Sequence, residues 1–230
     1  MNNKKRPVKQ RTAPKREEFI LNEQSPFVIK EAYKSLRTNV ILSMPGTDCK
    51  CVAITSATPG DGKSTTAANL AISLGQIGKR VLLIDCDMRL PSLAHKFKVH
   101  AKPGLSDFLV GQAKIEDAVR KLEDPNIHIL PAGSIPPDPT GLLESKQMGL
   151  LLNALRGIYD FVVIDLPPVT TVPDAVIISK YVDGCLLAVR EHHTENRKVT
   201  DMLRQLNMAG AKILGFVTTN GSLKGKTYYG

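Results

Sequence analysis

The sequence contains few aromatic residues, few cysteines and no long hydrophobic run. Aromatic residues make up 5% of the 230 residues, and they do not alternate with basic residues as is typical of nucleic-acid-binding surfaces. The four cysteines match neither a metal-binding spacing nor the dense pattern of a disulfide-stabilised secreted domain. We therefore do not expect nucleic acid as the main partner, and we expect reduced, mostly buried cysteines.

No apolar stretch approaches the roughly 20 residues that a membrane-spanning helix requires. The basic N-terminal segment leads into Glu17 and Glu18 and then into a brief apolar stretch, which does not fit a secretory signal peptide. These absences predict a cytoplasmic protein. Because 42% of its residues are hydrophobic, the chain is expected to form one globular domain with tails.

Most of the net charge of +9 lies near the N-terminus, where seven lysines and arginines precede the first acid, Glu17. Residues 1–18 contain too little apolar material to fold alone, which predicts a basic disordered tail. Such a tail could serve only to keep the protein in solution. Alternatively, its positive potential could attract an anionic partner such as phospholipid headgroups. The sequence alone leaves both interpretations open.

Strand and helix patterns alternate through most of the chain. A helix is predicted over 25–44, after Ser25-Pro26. Strands are predicted at 51–55, 81–85, 126–132, 161–165, 184–191 and 212–219, and further helices at 67–78, 142–157, 174–182 and 194–210. This alternation predicts an α/β fold with a mostly parallel central sheet and helices on both faces. The folded domain is predicted to span 19–221, followed by a flexible tail at 222–230.

A phosphate-binding loop is predicted between the first strand and the helix that follows it. The segment ATPGDGKST, from Ala57 to Thr65, matches the pattern G-x-x-x-x-G-K-[ST] except that alanine replaces the first glycine. Its glycines allow backbone N–H groups to turn toward phosphate oxygens, and Lys63 can reach the β- and γ-phosphates. This motif predicts a P-loop NTPase. The predicted nucleotide-binding residues are Thr58, Pro59, Gly60, Asp61, Gly62, Lys63, Ser64 and Thr65.

Two aspartates end buried strands, Asp85 in VLLID and Asp165 in FVVID. Either one alone could be a turn or helix-cap residue. In parallel sheets, however, the carboxyl ends of the strands meet at the ligand-binding edge, and Mg²⁺ prefers oxygen ligands. A magnesium site is therefore predicted at Ser64, Asp85 and Asp165. Arg89 is expected to pair with the neighbouring acids, and the alternative is an ordinary surface cation.

These segments together resemble the bacterial tyrosine kinases of capsule and exopolysaccharide assembly, in their Gram-positive form. The resemblance covers nearly the whole chain and rests on ITSATPGDGKSTTAANLA, on DFVVIDLPPV, on tyrosines near the end, and on VLLIDCDMRLPS, which is similar to the family's additional Walker A′ element. The related septum-site and partition ATPases carry a second lysine early in the loop, where this chain has Thr58. That difference favours the kinase branch.

The resemblance implies a kinase that uses ATP and Mg²⁺ to phosphorylate cytoplasmic proteins and its own C-terminal Tyr228 and Tyr229 in trans. The implied catalytic residues are Lys63, Asp85 and Asp87. A tyrosine hydroxyl has a pKa near 10, so an oriented carboxylate could accept its proton during transfer, and Asp85 is the candidate base. Asp87 would orient the site, while Lys63 would offset charge that develops on the transferred group.

The resemblance also implies partners. Glu31, Lys34 and Arg37 are similar to the family's E-x-x-R-x-x-R oligomerisation motif, with lysine in the middle position, and the spacing places them near one helix face. A homo-oligomer such as a ring would bring each tail to a neighbouring site. A separate membrane-embedded activator would hold the protein peripherally at the inner face of the cell membrane.

Two alternatives stay open at this stage. One is a partition-type ATPase switch, in which hydrolysis controls dimerisation and no protein is phosphorylated. The other is a nucleotide-dependent scaffold for polysaccharide export without phosphotransfer, because every residue with a catalytic role could also serve binding alone. Thr58 and the C-terminal tyrosines count against the switch.

Overall fold

The computed structural model describes residues 20–46, 49–123 and 126–220. The predicted basic tail and both candidate phosphoacceptors, Tyr228 and Tyr229, lie outside these residues. The helices are α1 (Phe27–Ser43), α2 (Lys63–Gly75), α3 (Leu93–Lys96), α4 (Leu105–Leu109), α5 (Ile115–Ala118), α6 (Pro139–Glu144), α7 (Lys146–Leu155), α8 (Asp174–Ser179) and α9 (Asn196–Met208). The strands are β1 (Lys50–Ser56), β2 (Val81–Asp85), β3 (Arg120–Lys121), β4 (Ile127–Leu130), β5 (Phe161–Asp165), β6 (Gly184–Arg190) and β7 (Ile213–Thr219).

The strands form one sheet in the order β3-β4-β2-β5-β1-β6-β7. Every pairing is parallel except that of β3 with β4. The predicted α/β fold with a mostly parallel sheet is therefore confirmed. All residues of β2 and β5 are buried, because both strands lie inside the sheet and are covered on both faces.

The sheet separates two hydrophobic cores. Side chains alternate along β2, so that Val81 and Leu83 join the core beneath α1 and α2, whereas Leu82 and Ile84 join the core beneath α6 to α9. Helix α2 contributes five buried residues to the first of these cores, and nine of its 13 residues are buried. This burial fixes the first turn of α2 against the ends of the central strands.

The structure differs from the expected elements mainly in the segment after β4. The helix predicted over 142–157 was wrong as a single unit, because Ser145 is extended and separates α6 from α7. The Ser145 hydroxyl accepts a hydrogen bond from the Met148 N–H at 3.3 Å and caps α7. The short elements α3, α4, α5 and β3 were not predicted, since they are too short to show a hydrophobic period.

Each helix in the described ranges falls short, in length or in apolar character, of what a bilayer crossing demands. The four cysteines are buried and free, as expected. The predicted domain limits at residues 19 and 221 stay a prediction.

Candidate active site

The three segments that carry the predicted site meet at one edge of the sheet. Strands β1, β2 and β5 are neighbours and run parallel, so their carboxyl ends lie side by side. The P-loop, residues 57–65, follows β1, while Asp85 ends β2 and Asp165 ends β5. Asp85 and Asp165 are partners in the strand register. The structure therefore brings together the loop and the two acids that were predicted to act with it.

Two glycines give the P-loop its shape. Gly60 and Gly62 have φ values of 87° and 92°, which side-chain-bearing residues rarely adopt. A Cβ atom on Gly62 would also lie 3.0 Å from the Thr219 Cγ2 atom. Helix α2 then begins at Lys63, and its positive N-terminal end points its first N–H groups toward the loop. This arrangement is typical of a phosphate-binding cradle.

Lys63 faces the acids at the neighbouring strand ends. Its ammonium lies 2.8 Å from Asp87 Oδ2, 3.2 Å from the Ser64 hydroxyl and 3.5 Å from Asp165 Oδ1. Burial works against the charge of Lys63, but Asp165 and Asp87 outweigh it and hold the lysine pKa above its usual value. Lys63 is therefore a stable cation at the centre of an acidic cluster.

Asp165 has the least satisfied carboxylate of this cluster. It has an exposed fraction of 0%, and neither oxygen has a hydrogen-bond partner among the described residues. Burial raises the pKa of Asp165, and the charge of Lys63 opposes this only in part. Two hard oxygens without hydrogen-bond partners in the described part of the chain, close to the Ser64 hydroxyl, fit the ligand preference of Mg²⁺. The residues present thus fit a magnesium ion that also takes phosphate and water oxygens.

Protein side chains alone would not complete such a metal site. In residues 20–46, 49–123 and 126–220, no group of three or more histidine, cysteine, aspartate or glutamate side chains is arranged to hold a metal ion. Magnesium commonly binds through one or two carboxylates and completes its shell with substrate phosphates and water.

Asp85 holds the segment that follows β2. Its Oδ2 atom accepts hydrogen bonds from the Ser92 and Leu93 N–H groups, both at 3.0 Å, and its Oδ1 atom accepts one from the Asp87 N–H at 3.2 Å. Burial, followed by the charge of Asp165, raises the pKa of Asp85 to about 7. The role of Asp85 as the catalytic base stays a prediction. What its contacts directly explain is the folded shape of residues 86–93.

Arg89 was expected to pair with the acids beside the P-loop, and that expectation was wrong. Its guanidinium forms an ion pair with Asp174, the first residue of α8, and donates to the Thr140 hydroxyl at 2.9 Å. Thr140 in turn donates to Asp174 at 2.8 Å. Arg89 reaches these partners because α6 and α8 pack beside the segment after β2. The role of pairing with Asp87 belongs to Lys63 instead.

The three predicted oligomerisation residues have different surroundings. Lys34 pairs with Glu31 at 2.7 Å on the exposed face of α1. Arg37 instead points to α2, where its guanidinium donates to the Ser73 backbone carbonyl at 2.8 Å. Glu31 and Lys34 are therefore available at the surface, whereas Arg37 also holds α1 on α2. Their part in assembly stays a prediction.

The sequence did not reveal several side chains that contact the P-loop. Lys96 on α3 donates to the Thr65 hydroxyl at 3.3 Å and adds a positive charge beside the loop. Thr194 and Thr219 both donate to Asp61, from the loop after β6 and from the last residue of β7. For Thr194 and Thr219, the only signal in the sequence was that Thr194 follows a predicted strand and Thr219 ends one.

Comparison with known proteins gives consistent matches. Residues 49–212 match a protein-family model described as an AAA domain. The tyrosine-protein kinase YwqD of Bacillus subtilis is 38% identical over 200 residues, which cover 87% of this chain and 84% of that protein. The tyrosine-protein kinase CpsD of Streptococcus agalactiae serotype Ia is 35% identical over 200 residues, which cover 86% of this chain and 85% of that protein.

Solved structures show the same fold. The chimerical protein CapA2B2 has a TM-score of 0.83 and 34% identity, covering 89% of this chain and 90% of that chain. The kinase domain of the Escherichia coli tyrosine kinase ETK has a TM-score of 0.82 and 30% identity, and the match covers 87% of this chain and 79% of that chain. The septum site-determining protein MinD of Pyrococcus horikoshii, complexed with Mg-ADP, has a TM-score of 0.63 and 30% identity. This match covers 74% of this chain and 70% of that chain.

Proposed function

Because this chain belongs to the bacterial tyrosine kinases, we propose that it transfers the γ-phosphoryl group of ATP to tyrosine hydroxyls, including those of Tyr228 and Tyr229 in a neighbouring copy. The observation that carries this proposal is the contact of Lys63 with Asp87, Ser64 and Asp165 at the junction of β1, β2 and β5. A cation, two acids and a hydroxyl at this junction support the proposal, because a P-loop NTPase uses such groups around the terminal phosphates of its nucleotide.

The proposed roles follow from the contacts of each group. The backbone N–H groups of residues 60–65 and the ammonium of Lys63 would bind the phosphates. Ser64 and Asp165 would hold Mg²⁺, with Asp85 beside them as the predicted third ligand. When bound there, a magnesium ion would neutralise charge on the phosphate oxygens. The complex of the related MinD with Mg-ADP supports nucleotide and metal binding in this fold.

A carboxylate near the γ-phosphate could accept the proton that the tyrosine hydroxyl loses. Asp85 is the predicted base, although both of its oxygens already accept backbone N–H groups. Asp87 offers a second candidate, since its Oδ2 atom faces Lys63 and its side chain is 6% exposed. Separate Asp85→Asn and Asp87→Asn variants would distinguish them. The variant that lacks the base would lower kcat most and would lose the acidic limb of the pH–rate profile.

We expect this kinase to act in capsule or exopolysaccharide synthesis and export, together with a separate membrane-embedded activator. The resemblance of the sequence to kinases of that system supports this proposal, and so does the similarity to the chimerical protein CapA2B2. The basic segment before Glu17 would add attraction to an anionic lipid surface. Cosedimentation with phosphatidylglycerol vesicles, for the full chain and for a chain without residues 1–16, tests that addition.

Assembly through the surface of α1 would bring each tail to a neighbouring site. The exposed Glu31–Lys34 pair supports this proposal. Phosphorylation would add negative charge and acceptor oxygens to the tail, so it is expected to loosen docking and favour dissociation. Size measurement with and without ATP tests this, because a Tyr228→Phe/Tyr229→Phe double variant should then stay assembled. Equal dissociation of both proteins would exclude phosphorylation of the tail as the cause.

The central experiment uses the full chain, incubated with ATP and Mg²⁺ in the presence of a membrane fraction that supplies the activator. Phosphotyrosine is then mapped by mass spectrometry. Phosphate on Tyr228 or Tyr229 is expected in the wild type and in Lys79→Met, a control at an exposed lysine outside the site. It should disappear in Lys63→Met. Hydrolysis without phosphotyrosine would instead favour the ATPase switch, and nucleotide binding without either reaction would favour the scaffold.

A further inference from the structure

The carboxylate of Asp61 is buried inside the P-loop. Its exposed fraction is 0%, although it is an acidic residue in a loop. Its Oδ2 atom accepts a hydrogen bond from the Thr58 N–H at 2.8 Å, and the Thr58 hydroxyl lies 3.0 Å from both carboxylate oxygens. A buried carboxylate is costly unless hydrogen bonds compensate for the lost water. These contacts therefore tie the first half of the loop to its second half.

Thr194 connects the same carboxylate to the loop between β6 and α9. Its hydroxyl donates to Asp61 Oδ1 at 2.7 Å and accepts a hydrogen bond from the Arg190 N–H at 2.9 Å. One hydroxyl thus serves as donor and acceptor at once, which a threonine or serine can do and a valine cannot. The Arg190 guanidinium also lies 3.5 Å from the Gly60 carbonyl. Thr194 and Arg190 therefore connect the loop after β6 to the P-loop through hydrogen bonds.

The end of β7 forms a third connection. The Thr219 hydroxyl donates to the Asp61 backbone carbonyl at 2.6 Å, and the Thr219 carbonyl accepts the Glu191 N–H at 3.0 Å. The Thr219 side chain also fills the space beside Gly62. Asp61 therefore joins three separate segments: the P-loop itself, the loop after β6 and the last residue of β7.

We propose that Asp61 is a positioning residue, which holds the P-loop in its phosphate-binding shape through Thr194 and Thr219. The carboxylate is fully engaged by donors of the chain itself, so it acts on the nucleotide through the loop and not by direct contact. A cradle of backbone N–H groups binds phosphate well only if the groups already converge before binding. This inference rests on the proposed function only as far as the P-loop binds a nucleotide.

The network could instead stabilise the fold without any effect on nucleotide binding. The affinity of the protein for nucleotide distinguishes these two roles. Thr194→Val removes the donor to Asp61 with little change of shape, Thr194→Ser restores it, and Thr200→Val is the matched control. Thr200 lies on the exposed side of α9 and donates only to the Asn196 carbonyl within its own helix. Dissociation constants for Mg-ADP and Mg-ATP are measured by titration calorimetry on the full chain, below the melting temperature of every variant.

Thr194→Val is expected to bind Mg-ADP and Mg-ATP about ten-fold more weakly than the wild type, which corresponds to the loss of one hydrogen bond to a charged group. The two nucleotides should be affected alike, because both use the same cradle. Thr194→Ser should bind within about two-fold of the wild type, and Thr200→Val should not differ from it. In a kinase assay, Thr194→Val would raise the KM for ATP with little change in kcat.

The proposal is overturned if Thr194→Val binds both nucleotides like the wild type, whatever its stability. Equal weakening in Thr194→Ser or Thr200→Val would overturn it as well. Should Thr194→Val fail to fold, Thr219→Val and Thr219→Ser provide the same comparison at the second connection. A wild type that binds nucleotide but phosphorylates no tyrosine would contradict the proposed function and leave this inference standing.

Discussion

Asp85 and Asp165 are directly opposite each other at the ends of the adjacent strands β2 and β5, and both are fully buried. Parallel register places the two carboxylates at the same edge, where water cannot separate their charges. Burial and the charge of Asp165 raise the pKa of Asp85. Burial, opposed in part by the charge of Lys63, also raises the pKa of Asp165, and the charge of Asp87 adds to that rise. The site is therefore electrostatically costly without a ligand, and a divalent cation would relieve that cost.

The raised pKa of Asp85 predicts how the nucleotide-free protein responds to pH. The unfolded chain releases this proton near pH 3.8 and the folded protein near pH 7. The stability that this group contributes is therefore fully present below about pH 4 and decreases as the pH rises to about 7. Above pH 7 it does not change further. Relative to Asp85→Asn, the wild type should lose about 2–3 kcal/mol of unfolding free energy between pH 5 and 8.

Urea unfolding of both proteins at pH 5, 6, 7 and 8, without nucleotide or metal, measures this loss. The comparison with Asp85→Asn cancels other titrating groups, such as His128, whose pKa is lowered by burial. Parallel stability curves for the two proteins would contradict the prediction.

Asp165→Asn should stabilise the nucleotide-free protein while impairing its function. The substitution removes a buried charge that lacks hydrogen-bond partners among the described residues and that Lys63, 3.5 Å away, offsets only in part. At pH 8 we expect a gain of about 1 kcal/mol or more in unfolding free energy. Stabilisation by Mg-ATP should decrease strongly in the same variant, because one proposed metal ligand is lost. Thermal melting with and without Mg-ATP measures both effects, and lower stability without nucleotide would count against the prediction.

Arg89→Ala should destabilise the protein, because it leaves the buried carboxylate of Asp174 without its cation. Breaking a fully buried pair costs about 3–5 kcal/mol, but the Arg89 side chain is 35% exposed, so we expect about 2–3 kcal/mol. Urea unfolding at pH 7 measures the difference. In the double variant Arg89→Ala/Asp174→Asn most of the loss should be recovered. A failure to recover would show that packing of Arg89 matters more than its charge.

Arg37 and Lys34 predict different outcomes when each is replaced by alanine. Arg37→Ala removes a hydrogen bond to the Ser73 carbonyl and should cost about 1 kcal/mol of stability in the single chain. Lys34→Ala removes an exposed pair with Glu31 and should cost less than about 0.5 kcal/mol. Chemical unfolding at low protein concentration checks both. An equal loss for the two variants would contradict the assigned contacts, and Lys34→Ala is the cleaner probe of assembly.

Much of the fold could be predicted from the sequence. The strands from VLLID and FVVID lie where their apolar runs indicated, because buried parallel strands carry a strong local signal. The break at Ser145 could not be predicted, since the residues around it continue a helical pattern without proline or glycine at the break. The short helices between β2 and β4 gave no signal, because four or five residues show no period.

The sequence by itself determined the phosphate loop, the strand-end acids and the order of the elements, because each depends on residues within one short segment. The tertiary structure decided which charges and hydroxyls meet. Arg89 pairs with Asp174, which lies 85 positions further along the chain, and Asp61 receives hydrogen bonds from Thr194 and Thr219, 133 and 158 positions away. These residues meet because strand ends that are far apart in the sequence pack against one another. A local sequence pattern contains no information about which distant residues will become neighbours.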